Sequence, residues 1–448
     1  MTIATIAVGA IAILLIVAQL SYLLLSLQTS TVRRSGHLNI FTQGFYQFGG
    51  GNPSAYAIND YRDVMDLIRR DQALAPKIAV VTAFQSAFGV ASNYSAERSK
   101  TFFGEGVIWR DRDLMKRWNE YRFDAFERPD PPLADPDGTV GIVGVGVARI
   151  LGLCVKGVSN CEHSAIPAPP PAAEAPVDAP RRDFTGLIGL DRPEGAHPAS
   201  VQPQLDLLAA TADGAPNVVT LRIGRAEGQG NKDLDDNFVI MSLPLAQKLL
   251  YGREQPKVTG IVIQLRRTQD LRFAKSELNS LFQKHHLPLE VKDYKDLTPL
   301  YGQAVRFFSF LFAFISTVIS VIALFTIVNT MTMAIMERTS EVGTLRALGF
   351  QRAEINRQFL AEGCILGIAG ATFGVLGAIA LATAVNHTGL RWTPPTASGD
   401  VPFRLYLFGT PWKIAATWFG LIVVAAFAAS VPARRAARMV VVEALRHA

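Results

Sequence analysis

The sequence predicts a membrane α-helical domain of four transmembrane helices plus an α+β extracytoplasmic domain inserted between helices 1 and 2. Three observations predict it. Of 448 residues, 49% are hydrophobic and only 18% charged, too apolar for an ordinary soluble chain of this size. The apolar residues concentrate at the two ends and leave a mixed middle, the pattern of spans around a water-facing domain. The positive charges sit beside the apolar runs, where they set topology rather than form a nucleic-acid surface. The implied organisation is helix 1 in 1–29, an extracytoplasmic domain in 30–300, and a membrane domain with helices 2–4 in 301–448.

The first span runs from about Ile3 to Leu27, with no charge before Arg33. It is too long for a signal-peptide core and lacks a basic leader, so it reads as a retained anchor. The second runs from Phe307 to Met336 without a charge. At 1.5 Å per residue it exceeds a bilayer core of about 30 Å, so it tilts or projects as a stalk. The third runs from about Gly363 to Val385. Its Gly363, Gly367, Gly370, Gly374 and Gly377 recur at steps of three and four, which predicts one close-packing helix face. The fourth runs from about Ile414 to Val431.

Arg338, Arg346, Arg352 and Arg357 follow span two, and Arg434, Arg435, Arg438 and Arg446 follow span four. Short basic loops stay in the cytoplasm, so both termini are expected inside and residues 30–300 outside. Arg33 and Arg34, on the outer side of span one, run against this rule.

In the outer domain, Tyr56–Leu74, Asp111–Tyr121, Pro244–Leu250 and Arg272–His285 read as helices. Lys77–Phe84, Val218–Ile223, Phe238–Met241 and Val258–Leu265 read as strands. Residues 166–180, rich in proline and alanine, read as an extended linker or a partner-docking arm. Cys154 and Cys161 form either a small disulfide loop or two unpaired thiols, and Cys364 is packing. Cys161, Glu162 and His163 lack a second ligand pair, so no metal site is expected. Gly141, Gly144 and Gly146 imitate a dinucleotide loop, but Arg149 stands where the third glycine belongs and no βαβ frame is expected. The sequence has no G-x-x-x-x-G-K-[ST] loop, and no catalytic constellation stands out; His285 and His286 read as solvated.

After span two comes the run from Met336 to Phe350, MERTSEVGTLRALGF. Thr339 or Ser340 is expected to cap a short helix over 337–350, with Glu341 in its first turn and Gly349 as a left-handed stop. Glu337, Arg338, Glu341 and Arg346 are its expected exposed charges, and a second helix, Arg352–Glu362, follows. A charged rod between two membrane helices suits either plain solvation or docking of a soluble partner.

The segment from Asn329 to Gly370, with its NTM, MERTSEVGTLRALGF and FLAEG, resembles the core motif of the MacB/FtsX/Lol permease superfamily. The tail Pro432–Arg446, PARRAAR followed by VEALR, is similar to that family's tail, and Gly36-His37-Leu38 and Asp236–Leu250 match more loosely. The resemblance implies a MacB-like periplasmic core and an ABC-transporter permease without catalysis of its own. It implies pairing with a second permease subunit, homo- or heterodimeric, and with a cytoplasmic ABC ATPase dimer that carries the ATP and Mg; this chain would bind no cofactor. By motif position, Glu337, Arg338, Thr339, Glu341, Gly343, Arg346 and Gly349 would form the ATPase-coupling segment, with Gly343 allowing close backbone approach. The wording is most similar to the lipoprotein-releasing branch, in the bacterial inner membrane with a periplasmic carrier or adaptor and membrane lipid as further partners. MacB-like efflux of peptides or drugs, or regulation of a cell-wall hydrolase, are the alternatives. Family members begin with a basic helix before span one; here the chain starts almost in the span, which would account for the Arg33/Arg34 exception. Val441-Val442 replaces the usual Asp-Pro of the tail.

Overall fold

The computed structural model describes residues 2–49, 53–123, 133, 135, 137–158, 203–230, 232–392, 400–407, 409 and 411–438. The expected linker at 166–180, Cys161 and the tail beyond Arg438 lie outside the described residues.

Among the described residues, four helices are long and apolar enough to cross a membrane. They are α1 (Thr2–Ser35), α7 (Pro299–Glu337), α9 (Arg352–His387) and α10 (Pro411–Ala437). Among the described residues, five helices of six residues or more lie in the inserted domain between α1 and α7 and take the intervening numbers. Helix α1 continues past Leu27 to Ser35, and Gly36 then turns the chain through a left-handed φ of 69°. The 39 residues of α7 make a rod of roughly 58 Å. The two rods therefore leave the bundle as a two-helix stem. The expected separate helix Arg352–Glu362 is corrected: it is the first part of α9. Nothing in the sequence stops it, because Ile355 and Phe359 start a buried stripe that runs on through Gly363 and Gly367.

The inserted domain has two lobes. The first is built from β1 (Leu38–Thr42), α2 (Tyr61–Arg70), the start of β2 (Ile78–Asn93), β8 (Gly260–Leu265), α6 (Leu271–Lys284) and β9 (Leu289–Asp293). Its strands lie in the order β2-β8-β1-β9, each antiparallel to its neighbour, which is a split β-α-β arrangement. Val64, Met65 and Ile68 of α2 and Ala274, Leu278 and Phe282 of α6 cover Leu38, Ile40, Ile261 and Ile263. Both stem helices enter here, α1 directly before β1 and α7 soon after β9.

The second lobe is inserted between β2 and β8. It contains β3 (Arg98–Val107), α3 (Trp109–Lys116), β4 (Val140–Gly144), α4 (Val145–Ile150), β5 (Gln204–Ala210), β6 (Pro216–Glu227), β7 (Phe238–Ser242) and α5 (Leu243–Tyr251). Hydrogen bonding runs β2-β3-β7-β4-β6-β5 and back to β2, so six strands close on themselves. Ala87, Ala91, Leu205, Leu207, Leu221 and Val239 fill the interior. Closure removes the edges that an open sheet would expose.

Two expected helices are shorter than their sequence pattern. Helix α2 stops at Arg70 because the Asp71 carboxylate accepts from the Ala73 and Leu74 amides, both at 2.9 Å. Helix α3 stops at Lys116, and Asn119 then clamps both backbone polar groups of Phe123 at 2.9 Å. The imitation dinucleotide loop is a strand followed by a six-residue helix, β4 and α4. A Cβ at Gly144 would strike the Asp235 carbonyl, and one at Gly146 the Asp236 carboxylate. These glycines admit a neighbouring backbone, not a phosphate.

Candidate functional site

The rod α7 ends at Glu337, and Arg338 breaks the helix with φ −105° and ψ 21°. A nine-residue helix α8 (Thr339–Ala347) follows. The expected side-chain cap is corrected. The Thr339 hydroxyl donates backward to the carbonyls of Met336 (2.7 Å) and Ile335 (3.2 Å), so it stitches α8 to α7 instead. At the far end the Phe350 amide reaches the Leu345 carbonyl (3.1 Å) and the Gly349 amide that of Arg346 (3.2 Å). This double closure, with Gly349 at φ 98°, is a Schellman stop. Gln351 and Glu354 then form a capping box that opens α9, the Gln351 amide donating to Glu354 at 2.7 Å.

One side of α8 is fixed to the bundle. Val342 joins Ile335 of α7, Ile355 and Phe359 of α9, and Ala433, Ala436 and Ala437 of α10 in a buried core. Four helices therefore meet at α8. Of the sequence-assigned residues, Glu337, Arg338, Glu341 and Gly349 are exposed, and Thr339 is half-buried. Two expectations are corrected: Gly343 is buried, and Arg346 is half-buried with its Nε enclosed. The Arg338–Glu362 pair at 3.7 Å is exposed and contributes little. Leu348 and Phe350, absent from the sequence-derived set, are the large apolar side chains of the exposed turn, 73% and 46% exposed. Two bulky apolar residues flanking a glycine in a charged loop were the available signal.

The glycines of α9 lie on two seams rather than one. Cβ atoms at Gly363 and Gly367 would overlap Ala429 and Ala425 of α10. Those at Gly370, Gly374 and Gly377 would overlap Ile6, Ala10 and Ile11 of α1. The stripe drifts around the helix because alternating steps of four and three fall short of 3.6 residues per turn. Helix α9 is thereby the hub between α1 and α10.

At the domain end, a polar node joins the stem to the first lobe and to the segment after α3. Gln28 of α1 donates to the Tyr121 hydroxyl (3.1 Å) and to Thr268 (3.0 Å). The Thr268 hydroxyl donates to Glu120 at 2.7 Å and meets His37 Nε2 at 3.2 Å. His37 Nδ1 accepts the Leu265 amide at 3.0 Å. The network assigns a neutral His37 with its proton on Nε2. Burial pushes its pKa down to about 3, and the Leu265 N–H leaves Nδ1 no room for a second proton. The Tyr294 amide donates to the His37 carbonyl at 3.1 Å, and the Tyr294 ring packs on Tyr301 of α7 at 5.5 Å. Only His37 had been marked in the sequence, by resemblance. Gln28 carried a signal of its own, an amide in an apolar run.

Arg34 lies 5.6 Å over the Phe238 ring and within the field of Glu105, whose carboxyl is pushed up by burial and pulled back by Arg34 and Arg112. Its charge has a partner in the second lobe, which gives it a structural use outside topology. Cys154 is exposed, and its proposed bond to Cys161 falls outside the described residues. Among the described residues no group of three or more His, Cys, Asp or Glu side chains is placed to hold a metal.

Residues 313–441 match the FtsX-like permease C-terminal family. The stretch from α7 to α10 is thus an FtsX-like permease domain. The chain is 26% identical over 226 residues to the macrolide export ATP-binding/permease protein MacB of Bdellovibrio bacteriovorus, covering 49% of this chain and 32% of that protein. It is 25% identical over 225 residues to the pyoverdine export ATP-binding/permease protein PvdT of Pseudomonas savastanoi pv. phaseolicola, covering 49% and 31%. It is 34% identical over 137 residues to the ABC transporter permease YtrF of Bacillus subtilis, covering 30% of each chain. The match spans about a third of the length of these curated relatives.

Proposed function

We propose that the permease is the mechanotransmitting subunit of an inner-membrane ABC transporter. A cytoplasmic ATPase dimer holds ATP and Mg and pushes on α8, and the stem carries the push to the periplasmic domain. One observation carries this reading: α7 is a continuous rod with α8 locked to one end through Val342 and the His37 node packed on Tyr301 at the other. The rod shortens the path to a single rigid element, so no chain of side-chain rearrangements is required. The arginines beside α8 and at the end of α10 favour a cytoplasmic side for α8, and hence a periplasmic side for the inserted domain. Glu337, Arg338, Glu341, Leu348 and Phe350 form the docking face for the ATPase, and two permease subunits sit on the ATPase dimer.

The cargo is handled by the periplasmic domain. The names of the MacB and PvdT relatives support export of a small molecule. Lipoprotein release is the second reading, supported by the wording of 336–350. Membrane vesicles carrying permease and ATPase separate the two: ATP-dependent release of a lipid-anchored reporter supports the second, and its absence alongside macrolide or siderophore efflux supports the first. For the shared mechanism, Glu341→Lys combined with Leu348→Asp should lower permease-stimulated ATPase activity at least about tenfold, the loss of about 1.4 kcal/mol of coupling or more. The protease pattern of the outer domain should not change. Undiminished stimulation would refute the docking assignment.

A further inference from the structure

At the level where the bundle meets the inserted domain, a cavity of about 440 Å³ opens between α9, α1 and the loop leading to α10. Three arginines line it: Arg122 from the domain, Arg391 after α9, and Arg404. Asp400 is the acidic residue among its walls, so these side chains sum to a net positive lining. Arg404 is oriented by its Nη1 donating to the Asn386 carbonyl at 3.1 Å. Arg122 is presented by a left-handed backbone, φ 52°, rare for arginine. The Asn119–Phe123 clamp holds that turn, and the Phe123 ring wedges edge-on between Tyr22 of α1 (5.2 Å) and Tyr406 (5.1 Å). The inserted domain thus delivers a guanidinium to the membrane boundary. Exposed Trp392 and Trp412 and the Lys413–Ser21 contact at 2.8 Å mark the same level as interfacial.

An apolar groove of about 480 Å³ adjoins this pocket across Leu405, which lines both. Leu15, Leu20 and Leu23 of α1, Phe308 and Phe312 of α7 and Leu381 of α9 wall it. A charged pocket at headgroup depth continuous with an apolar channel at chain depth has the polarity profile of one lipid molecule.

We propose that the pocket binds the phosphate-bearing headgroup of an anionic lipid in the domain-side leaflet, with one acyl chain in the adjoining groove. Arginine suits the role because its planar fork pairs bidentately with phosphate oxygens. The net positive lining selects an anionic lipid over a zwitterionic one. The site stands apart from the cargo: an acylated protein carries no phosphodiester, so its use of the groove would not depend on the arginines.

The test uses the full chain in nanodiscs of equal phosphatidylglycerol and phosphatidylcholine, with retained lipids counted by native mass spectrometry. Wild type should enrich phosphatidylglycerol about five- to tenfold, and R122Q/R391Q should bring the ratio back towards bulk, as loss of bidentate contacts predicts. Leu20→Trp, which fills the groove and leaves the arginines intact, should lower retention of both lipids and so tests the site even if the arginine variant misfolds. Arg306→Gln, a charge on α7 outside the pocket, should leave the enrichment in place. An equal loss in R306Q would reduce the effect to general surface charge and overturn the proposal. So would displacement by millimolar inorganic phosphate, which would make the site one for a free anion, or an unchanged ratio in R122Q/R391Q.

Discussion

His37 is buried and neutral, with both ring nitrogens committed to neighbours of opposite hydrogen-bond sense. Its folded pKa of about 3 lies below the ordinary 6.5, so the unfolded chain binds the extra proton. Stability from this site is therefore complete above pH 6.5 and is lost progressively as pH falls towards 3. Melting of the inserted domain at pH 5 should reveal about 2 kcal/mol less stability than at pH 7.5, and His37→Gln should remove most of that difference. Glu227 acts lower on the scale. Burial alone would raise its carboxyl, but Arg112 and Lys116, at 3.0 and 2.9 Å, hold it at about 2. Its contribution is present above the ordinary carboxylate pKa and disappears between about pH 4.5 and 2. Gly349 is a third single-residue device: with φ 98°, Gly349→Val should cost about 1–2 kcal/mol and speed amide exchange at the end of α8, read by hydrogen–deuterium exchange.

At the scale of elements, apolar run length and glycine spacing made the four spans and the α9 seam legible. Gly374 packs on Ala7 and Ala10 of α1, so Gly374→Leu should force the helices apart and cost about 1–3 kcal/mol. Phe373→Leu, on the lipid-facing side, should be near neutral; disulfide trapping between paired cysteines in α1 and α9 reads the separation. The drift of that seam from α10 to α1 was not legible, since it depends on which helices stand beside α9. Nor were the true ends of α2 and α3: Asp71 and Asn119 stop them through hydrogen bonds to later backbone, which an apolar pattern extending to Leu74 or Tyr121 does not record. Helix α8 was legible in place and in its Gly349 stop. Its orientation was not, because burial of Val342 and Gly343 follows from the ends of α7, α9 and α10 converging there.

For the whole molecule, the distinction between two kinds of contact matters most. The stem meets the domain through a satisfied polar network, and a hydrogen-bonded network in a low-dielectric setting holds its geometry under load better than greasy contact alone. Gln28→Leu should leave the inserted domain folded, at a cost of about 1 kcal/mol, while loosening its angle to the stem. A spin-label distance between α1 and α6 checks this: a sharp wild-type distribution should broaden in the variant. An unaltered distribution would relocate the stiffness of the junction to the aromatic packing of Tyr294 and Tyr301. None of this node's long-range partners, separated by up to 240 residues, could be paired from sequence.

The place where the second lobe enters has an evolutionary consequence. Phe84 and Gly260 face each other across β2 and β8, so the chain leaves and re-enters the first lobe at neighbouring points. A segment spliced in at such a gate can be exchanged so long as its replacement keeps the contacts of Trp118, Glu120 and Tyr121 with the His37 node. Replacing residues 85–259 by a two-residue hairpin turn would also remove Trp118, Glu120 and Tyr121, so exchange protection around His37 should fall while the pairing of β1 with β9 is retained. Lineages that needed a new clientele could then have swapped the head while inheriting the engine unchanged.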